Sequence, residues 1–252
     1  MINVNITLED LVKAGAHFGH QARKWNPKMA PYLYGVRDGV HIFDLTKTKT
    51  KIEEALDFLA ESYKKGKSVL FVGTKRQVQD KIKEVAEFTK SFYVNKRWLG
   101  GTFTNFEQIK RSSNRLVDLK LKFKQGVFKD RTKKEKLLIE KEISRLEKTL
   151  GGLVGIESLP DIIFIVDTKR ESCAVKEAKE SGRIIVGVVD SNSNPEDCDY
   201  LIPMNDDSTR SLGFILDKVK EVFAKVQAEE KNFGKQKNEI FQSGNQNLKI
   251  ES

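Results

Sequence analysis

Short, uninterrupted apolar runs along the chain predict buried β-strands. Residues 68–72, 162–166 and 184–189 are rich in β-branched side chains and lack the alternation of half-exposed strands. Each run is followed by a polar loop, and the first two loops lead into segments with apolar residues at helical spacing. This alternation predicts an α/β fold with a mostly parallel sheet flanked by helices.

Weaker patterns complete this alternation. Residues 40–45 are a candidate strand before a predicted helix over 48–63, and residues 200–202 are a short last strand. The other predicted helices cover 74–89, 171–180 and 208–227.

Residues 108–150 break the alternation with two apolar stripes at heptad-like spacing. The stripes are Ile109, Leu116, Leu119 and Phe123, then Ile139, Ile143, Leu146 and Leu150. A polar turn opened by Gly126 separates them, and Thr132 with Glu135 is typical of a helix start. The pattern predicts an antiparallel coiled-coil helical hairpin that projects from the domain.

These boundaries divide the chain into three parts. Residues 1–107 and 151–227 form one discontinuous α/β domain, and residues 108–150 are the hairpin insertion. Residues 228–252 are rich in Asn, Gln, Lys and Glu, so we expect a disordered tail. Because the two stripes of the hairpin can cover each other, we expect the hairpin to contribute little to the α/β core.

Composition excludes several protein classes. Of the 252 residues 38% are hydrophobic, and no apolar run approaches the ~20 residues of a membrane span. The first residues lack a secretory or transit pattern, so we expect a cytoplasmic protein. Only Cys173 and Cys198 occur, without a CxxC pair, which excludes a disulfide scaffold and a thiolate zinc site.

The net charge of +9 is distributed unevenly. Residues 108–150 hold 14 basic and 6 acidic side chains, a net +8, whereas residues 151–252 have a net charge of −5. Such asymmetry indicates a polyanion on one face and a different partner or solvent on the other. The alternative is a solvated, charged helix pair.

Cations interleaved with aromatic residues in two loops are typical of RNA-binding surfaces. The candidate RNA-binding residues are His17, His20, Arg23, Lys24, Trp25, Lys28, Arg37, Lys75, Arg76, Lys96, Arg97 and Trp98, with Lys110, Arg111, Arg115, Lys120, Lys122, Lys124, Lys133 and Lys134 in the hairpin. A domain-edge loop anchored by Trp25 and a hairpin turn at Gly100 are the structural alternatives. Since most of these cations are lysines on helices, we expect contacts to phosphates rather than to base edges.

Four carboxylates follow predicted strands: Asp167, Asp190, Asp206 and Asp207. Ligands of open α/β sheets bind at the carboxyl ends of strands, where Asp190, Asp206 and Asp207 can hold a divalent cation. The same carboxylates can serve as acid and base in an enzyme, or cap helices and solvate loops. His17 and His20 are a further metal alternative, but no complete phosphate-loop or dinucleotide motif accompanies any of these residues.

Seven strings of residues resemble one known family over residues 8–226. They are HFGHQARKWNPKM, FVGTKRQ, VNKRWLGGTFTNF, SLPDIIFIVDTKRE, AVKEA, VVDSNSNP and IPMNDD. On these strings the chain is identified as a member of the bacterial-type small-subunit ribosomal protein S-two family. The resemblance implies a Rossmann/flavodoxin-like domain with a coiled-coil hairpin, seated on small-subunit rRNA without catalysis or a resident cofactor.

The resemblance also implies partners. It predicts neighbouring small-subunit ribosomal proteins, among them the large RNA-binding protein S-one, docked on the acidic C-terminal half, and it predicts no homo-oligomer and no membrane contact. Two other functions remain open: a flavodoxin-like or nucleotide-binding enzyme that uses the carboxylates, and a free regulatory RNA-binding protein. Fold alone does not separate these functions.

Overall fold

Strands and helices alternate along the chain in this computed structural model, which describes the backbone of residues 5–247 and the side chains of residues 5–229. The strands are β1 (Phe18–Gln21), β2 (Leu33–Arg37), β3 (Val40–Phe43), β4 (Val69–Val72), β5 (Phe92–Val94), β6 (Ile162–Val166), β7 (Ile184–Val189) and β8 (Tyr200–Pro203). The α-helices are α1 (Leu8–Ala14), α2 (Leu45–Lys64), α3 (Gln79–Thr89), α4 (Phe106–Lys124), α5 (Lys133–Leu150), α6 (Ser172–Glu180) and α7 (Thr209–Asn247).

A five-stranded parallel sheet lies at the centre of the fold, in the order β5–β4–β6–β7–β8. Strands β6 and β7 have the predicted bounds, and every residue of β4 and β6 is buried. Helices cover both faces of the sheet, which explains why these strands are continuous apolar runs. The predicted α/β fold, with a Rossmann-like parallel sheet, is confirmed.

Alternate residues of the central strands point to opposite faces and form two apolar clusters. On one face, Phe71 and Phe164 pack with Phe223 of α7, and side chains of α2 and α3 complete the cluster. On the other face, Leu70 and Ile163 pack against α6, the turn before α4 and the ends of the insertion.

A second sheet, which is antiparallel, is formed by the three strands that come before β4 in the chain, in the order β1–β3–β2. Only its middle strand was predicted, as residues 40–45. Strands β2 and β3 are joined through Asp38 and Gly39, a residue pair that favours the tight turn of a two-stranded hairpin. The sheet carries the first of the two basic-aromatic loops.

The insertion consists of α4 and α5, joined by residues 125–132. Thr132 and Glu135 form the reciprocal N-terminal cap that their spacing predicts. Between the two helices, Arg115 pairs with Glu142 at 2.7 Å, and Lys120 pairs with Glu147. The two helices are therefore neighbours, and the coiled-coil geometry of their contact remains a prediction.

The base of the insertion belongs to the core, which corrects the expectation that the hairpin contributes little to it. Ile109 and Leu150 lie in the same apolar cluster as Ile163 of β6. Ser113 Oγ donates a hydrogen bond to the carbonyl oxygen of Leu153 at 3.2 Å. The expectation was wrong because heptad spacing identifies the apolar stripe of a helix but not the element that covers it.

The largest differences from the predicted helix boundaries are at α3 and α7. Helix α3 begins at Gln79 rather than at residue 74, because residues 74–78 form a loop at the carboxyl end of β4. Helix α7 continues to Asn247, where the sequence predicted a helix end at residue 227 and then a disordered tail. Glu, Lys and Gln in this stretch are good helix formers, which the low apolar content obscured. Residues 248–252 of the predicted tail lie outside the described residues.

Among the helices in the described part of the chain, none combines the length and the apolar character that crossing a membrane requires.

Candidate nucleic-acid interface and carboxylate cluster

The segment between β1 and β3 holds the first group of predicted RNA-binding residues. Arg23 and Lys24 are exposed in a 3₁₀ turn, and Arg37 is exposed at the end of β2. Trp25 packs against His41 with ring centroids 4.8 Å apart, yet it remains 37% exposed. Lys28, by contrast, is engaged in an ion pair with Glu196. The segment thus presents several exposed cations beside the accessible rings of Trp25 and Tyr34.

The turn between β5 and α4 holds the second group. Lys96 and Arg97 are exposed, and Lys96 Nζ donates to Gln79 Oε1 at 2.6 Å. Trp98 is buried instead, and its Nε1 donates to Glu177 Oε1 at 3.0 Å. Its burial leaves the ring no open face for a base, so Trp98 anchors the turn and is not placed to contact RNA. The sequence could not predict this, because Glu177 lies on a distant helix.

The insertion holds the third and largest group. Arg111, Lys124, Lys133 and Lys134 are exposed. Arg115, Lys120 and Lys122 pair with Glu142, Glu147 and Asp118, and Lys110 Nζ donates to the carbonyl oxygen of Glu157 at 3.0 Å. Exposed ion pairs contribute only about 0–1 kcal/mol, so these cations can exchange a carboxylate for a phosphate at little cost.

Lys75 does not share this exposure, although the sequence grouped it with the RNA-binding cations. Its Nζ lies 2.5 Å from Asp206 Oδ1, 2.8 Å from Asp167 Oδ2 and 2.7 Å from Asp207 Oδ1. Burial lowers the pKa of Lys75, but the three carboxylates outweigh burial and raise it. Lys75 therefore neutralises an internal carboxylate cluster, whereas the next residue, Arg76, is exposed.

The carboxylate cluster also contains a set of potential metal ligands. His20, Asp190 and Asp206 each offer one ligand atom, and these atoms all lie within 4.8 Å of one another. His20 Nδ1 lies 3.0 Å from Asp190 Oδ1. This set differs from the predicted one, because Asp207 directs one oxygen to Lys75 and lies 3.5 Å from His20 Nε2 through the other. His17 is not part of the set among the described residues.

Two residues of this set have shifted pKa values. Asp206 is 1% exposed, and its Oδ2 has no hydrogen-bond partner among the described residues. Burial raises the pKa of Asp206, as do the neighbouring carboxylates Asp190 and Asp167, while Lys75 opposes the shift. The hydrogen bond to Asp190 raises the pKa of His20 against the effect of burial.

Gly19 allows β1 to reach this cluster. A Cβ atom at this position would lie 2.8 Å from Ser191 Oγ and 3.1 Å from the carbonyl oxygen of His41. The close approach lets the backbone N–H of His20 donate to Ser191 Oγ at 2.8 Å. Sequence reasoning missed Gly19 and Ser191, because neither belongs to the chemically reactive residue types that such reasoning searches.

An apolar sheet face, formed by Phe18, Tyr34, Val36, Val40 and Ile42, was also missed. It lines a cleft of about 710 Å³ on the antiparallel sheet. Tyr34 is 83% exposed, and Val36 and Phe18 are each at least half exposed. Exposed apolar side chains that lie side by side are typical of protein-interaction sites.

Comparison of the sequence with known proteins identifies the family of this chain. Residues 11–225 match the family described as Ribosomal protein S2. The chain is 47% identical over 215 residues to the small ribosomal subunit protein uS2 of Geotalea uraniireducens (strain Rf4), an alignment that covers 85% of this chain and 84% of that protein. The chain therefore belongs to the ribosomal protein S2 family, which confirms the resemblance. That family is a structural one and not an enzyme family.

Proposed function

We propose that this chain is a structural constituent of the small ribosomal subunit in the cytoplasm, where it binds small-subunit rRNA and docks a neighbouring ribosomal protein without catalysing a reaction. The distribution of its cations carries the proposal. Exposed cations occupy residues 23–37, the turn 96–97 and the insertion, whereas the buried Lys75 fills the carboxyl edge of the parallel sheet. Such an arrangement suits the binding of a polyanion on the outside of a closed domain.

The same edge argues against the enzyme alternative. The Thr74 hydroxyl is hydrogen-bonded to Glu171, and Arg170 Nε donates to Thr74 Oγ1 at 3.1 Å. Together with the pairing of Lys75 and Asp206, these bonds join the polar groups of the crevice to one another. A crevice filled in this way supports a structural role rather than substrate binding.

Contact to rRNA is proposed to be mainly to phosphates. Removing two phosphate contacts is expected to lower the slope of log affinity against log salt by about 2. The test is to measure the affinity of the full chain for a small-subunit rRNA fragment over a salt series, with R23A/K24A as the variant. The matched control is K49A/K65A, which removes one cation in α2 and one directly after it, each of which forms an i,i+4 ion pair. A salt-independent affinity, or an equal effect of both variants, would contradict the proposal.

Docking of a neighbouring protein is proposed on the apolar sheet face, with the family resemblance pointing to the protein S-one. The sequence placed this partner on the acidic C-terminal half. The exposed side chains of Tyr34, Val36 and Phe18 favour the antiparallel sheet instead, because their burial by a partner would be stabilising at about 25 cal/mol per Å².

A divalent cation is proposed at His20, Asp190 and Asp206. The buried, unpartnered Oδ2 of Asp206 supports this site, because a buried carboxylate oxygen without a partner is costly. One imidazole and two carboxylates suit zinc better than magnesium, which prefers oxygen ligands alone. The bound cation would join β1 to the loops after β7 and β8.

A further inference from the structure

Glu177 is a buried carboxylate that faces the basic turn between β5 and α4. It lies on α6 and is 6% exposed. Its Oε1 accepts hydrogen bonds from Trp98 Nε1 at 3.0 Å and from the Gly101 N–H at 2.9 Å. Its Oε2 accepts from the N–H groups of Phe103 at 2.9 Å and Thr104 at 3.4 Å. One side chain therefore accepts four hydrogen bonds from a single turn.

This arrangement is specific to an ionised carboxylate. Burial opposes ionisation of Glu177, but the hydrogen bonds from Phe103, Trp98 and Gly101 outweigh burial and lower its pKa. Among the described residues, no Lys, Arg or His forms an ion pair with Glu177, so hydrogen bonds rather than a cation compensate the buried charge. A buried charge compensated by backbone donors fixes the backbone that supplies them.

The turn held by Glu177 carries two of the exposed cations. Lys96 and Arg97 directly precede Trp98, whose ring packs edge-to-face on Phe103 at 5.2 Å. Gly101 adopts a left-handed conformation with φ of 88°, which a β-carbon would strain. The backbone on the C-terminal side of the cations is thus fixed, while both side chains remain exposed and Lys96 Nζ bonds to Gln79 Oε1.

The same contacts restrict how this turn can hold RNA. The N–H groups of Gly101, Phe103 and Thr104 would be natural phosphate donors, but Glu177 already accepts from them. With these three N–H groups occupied, the charged groups left to bind a phosphate at this turn are the side chains of Lys96 and Arg97. The affinity of the turn for RNA then depends on how well those two side chains are held together.

We propose that Glu177 is a positioning residue for RNA binding, which orders the turn 98–104 so that Lys96 and Arg97 act as one phosphate-binding pair. The inference rests on the proposed rRNA function and adds a residue that never touches RNA. Ordering the turn before binding lowers the entropic cost of fixing two long side chains on RNA.

The test is a double-mutant cycle on the full chain. Affinity for a small-subunit rRNA fragment is measured over a salt series for the wild type, E177A, K96A/R97A and the triple variant. K96A/R97A is expected to lower the salt slope by about 2. E177A is expected to weaken binding in the wild-type background, and to change affinity less than about twofold when Lys96 and Arg97 are absent. C173A is the matched control, because Cys173 Sγ also contacts Glu177 Oε1, at 3.5 Å, but lies outside the turn.

A second variant, E177Q, tests the same residue if E177A does not fold, because glutamine has the size of glutamate. In E177Q, amide hydrogen exchange is expected to increase at residues 101–104 and to stay unchanged in β6. Equal losses of affinity from E177A with and without Lys96 and Arg97 would overturn the inference, as would unchanged affinity in both folded variants. Loss of cooperative unfolding in both variants would overturn it too, because the role would then be global. If K96A/R97A binds RNA like the wild type, the result contradicts the proposed RNA contact of Lys96 and Arg97 rather than the role of Glu177 alone.

Discussion

The ammonium group of Lys75 lies 2.5 Å from the carboxylate of Asp206, although the two residues follow strands β4 and β8 at separate positions in the sheet. Through this contact and those to Asp167 and Asp207, one side chain joins the loops after β4, β6 and β8. The edge that binds ligands in many parallel α/β sheets is thereby held closed by protein groups.

Replacing Lys75 with Met is expected to reduce the free energy of unfolding by about 3–5 kcal/mol, because it leaves buried carboxylates without their cation. Chemical denaturation measures this loss. K81M on α3 is the control, since Lys81 forms surface ion pairs with Glu84 and Asp217. Its expected loss is below about 1 kcal/mol. Equal losses of unfolding free energy in both variants would show that the buried cluster stabilises the protein no more than surface ion pairs do.

Zinc is expected to raise the melting temperature of the wild type and to leave that of H20A unchanged. A cation at 100 times its dissociation constant stabilises the folded state by about 2.7 kcal/mol. Metal analysis of the purified chain and thermal melts with and without a chelator measure the effect. H17A is the control, because His17 lies outside the ligand set and should keep the zinc response. A zinc response that survives in H20A and D206N would exclude the site.

Substituting Val36 with Ser is expected to weaken binding of purified protein S-one, because the valine contributes to the apolar sheet face. V12S is the matched control, since Val12 on α1 is 50% exposed and Val36 is 55% exposed. Titration calorimetry with purified S-one compares the two variants. If only V12S, or neither variant, weakens the complex, the partner docks elsewhere.

Shortening the insertion is expected to separate RNA binding from folding. Replacing residues 121–141 by a Gly/Ser linker removes exposed cations such as Lys124, Lys133 and Lys134 and keeps the base of the insertion. This variant should melt cooperatively, yet sediment with small subunits less than the wild type does.

The longer replacement of residues 113–146 is the comparison. It deletes the fully buried Leu116 and the hydrogen bond from Ser113 to Leu153. A loss of stability is therefore expected only for the longer deletion. Full retention of the shorter variant on the subunit would place the rRNA contact in the loops at residues 17–37 and 96–97.

Stability should depend on Glu177 in a pH-dependent way. The folded state lowers the pKa of Glu177 below its ordinary value of 4.5, so its contribution is present above pH 4.5 and is lost as the pH falls through the lowered value. The difference in unfolding free energy between wild type and E177Q is expected to be largest near neutral pH and to shrink in acid. Denaturation at pH 7 and at pH 3 measures it, and a difference that grows in acid would contradict this assignment.

The central sheet could be predicted from the sequence because β6 and β7 are covered on both faces, which leaves an unmistakable apolar run. Strand β2 could not, since Gly35, Tyr34 and Arg37 make it resemble a loop, and only the Asp38–Gly39 pair signals its hairpin. Local patterns report local structure, and this strand is defined mainly by its pairing with β3.

Candidate site residues divide in the same way. Exposed cations such as Arg23 and Lys133 could be found from charge patterns alone. Lys75 and Trp98 were grouped with them, because nothing near them in the sequence shows that Asp206 and Glu177 are their partners. His20 lies beside Asp190 and Asp206 because Gly19 allows β1 to approach the loop that follows β7, and this approach is not visible in the sequence.

The position of the insertion also has a kinetic consequence. Strands β4 and β6 are neighbours in the sheet, yet β5, α4 and α5 lie between them in the chain, so their pairing closes a long loop. The contacts of Ser113 with Leu153 and of Lys110 with Glu157 bring the two ends of the insertion together. If α4 and α5 associate early through their local contacts, the loop that the pairing of β4 with β6 must close is much shorter. The pairing then has a lower entropic cost, and the sheet can form faster than the separation of its strands in the sequence suggests.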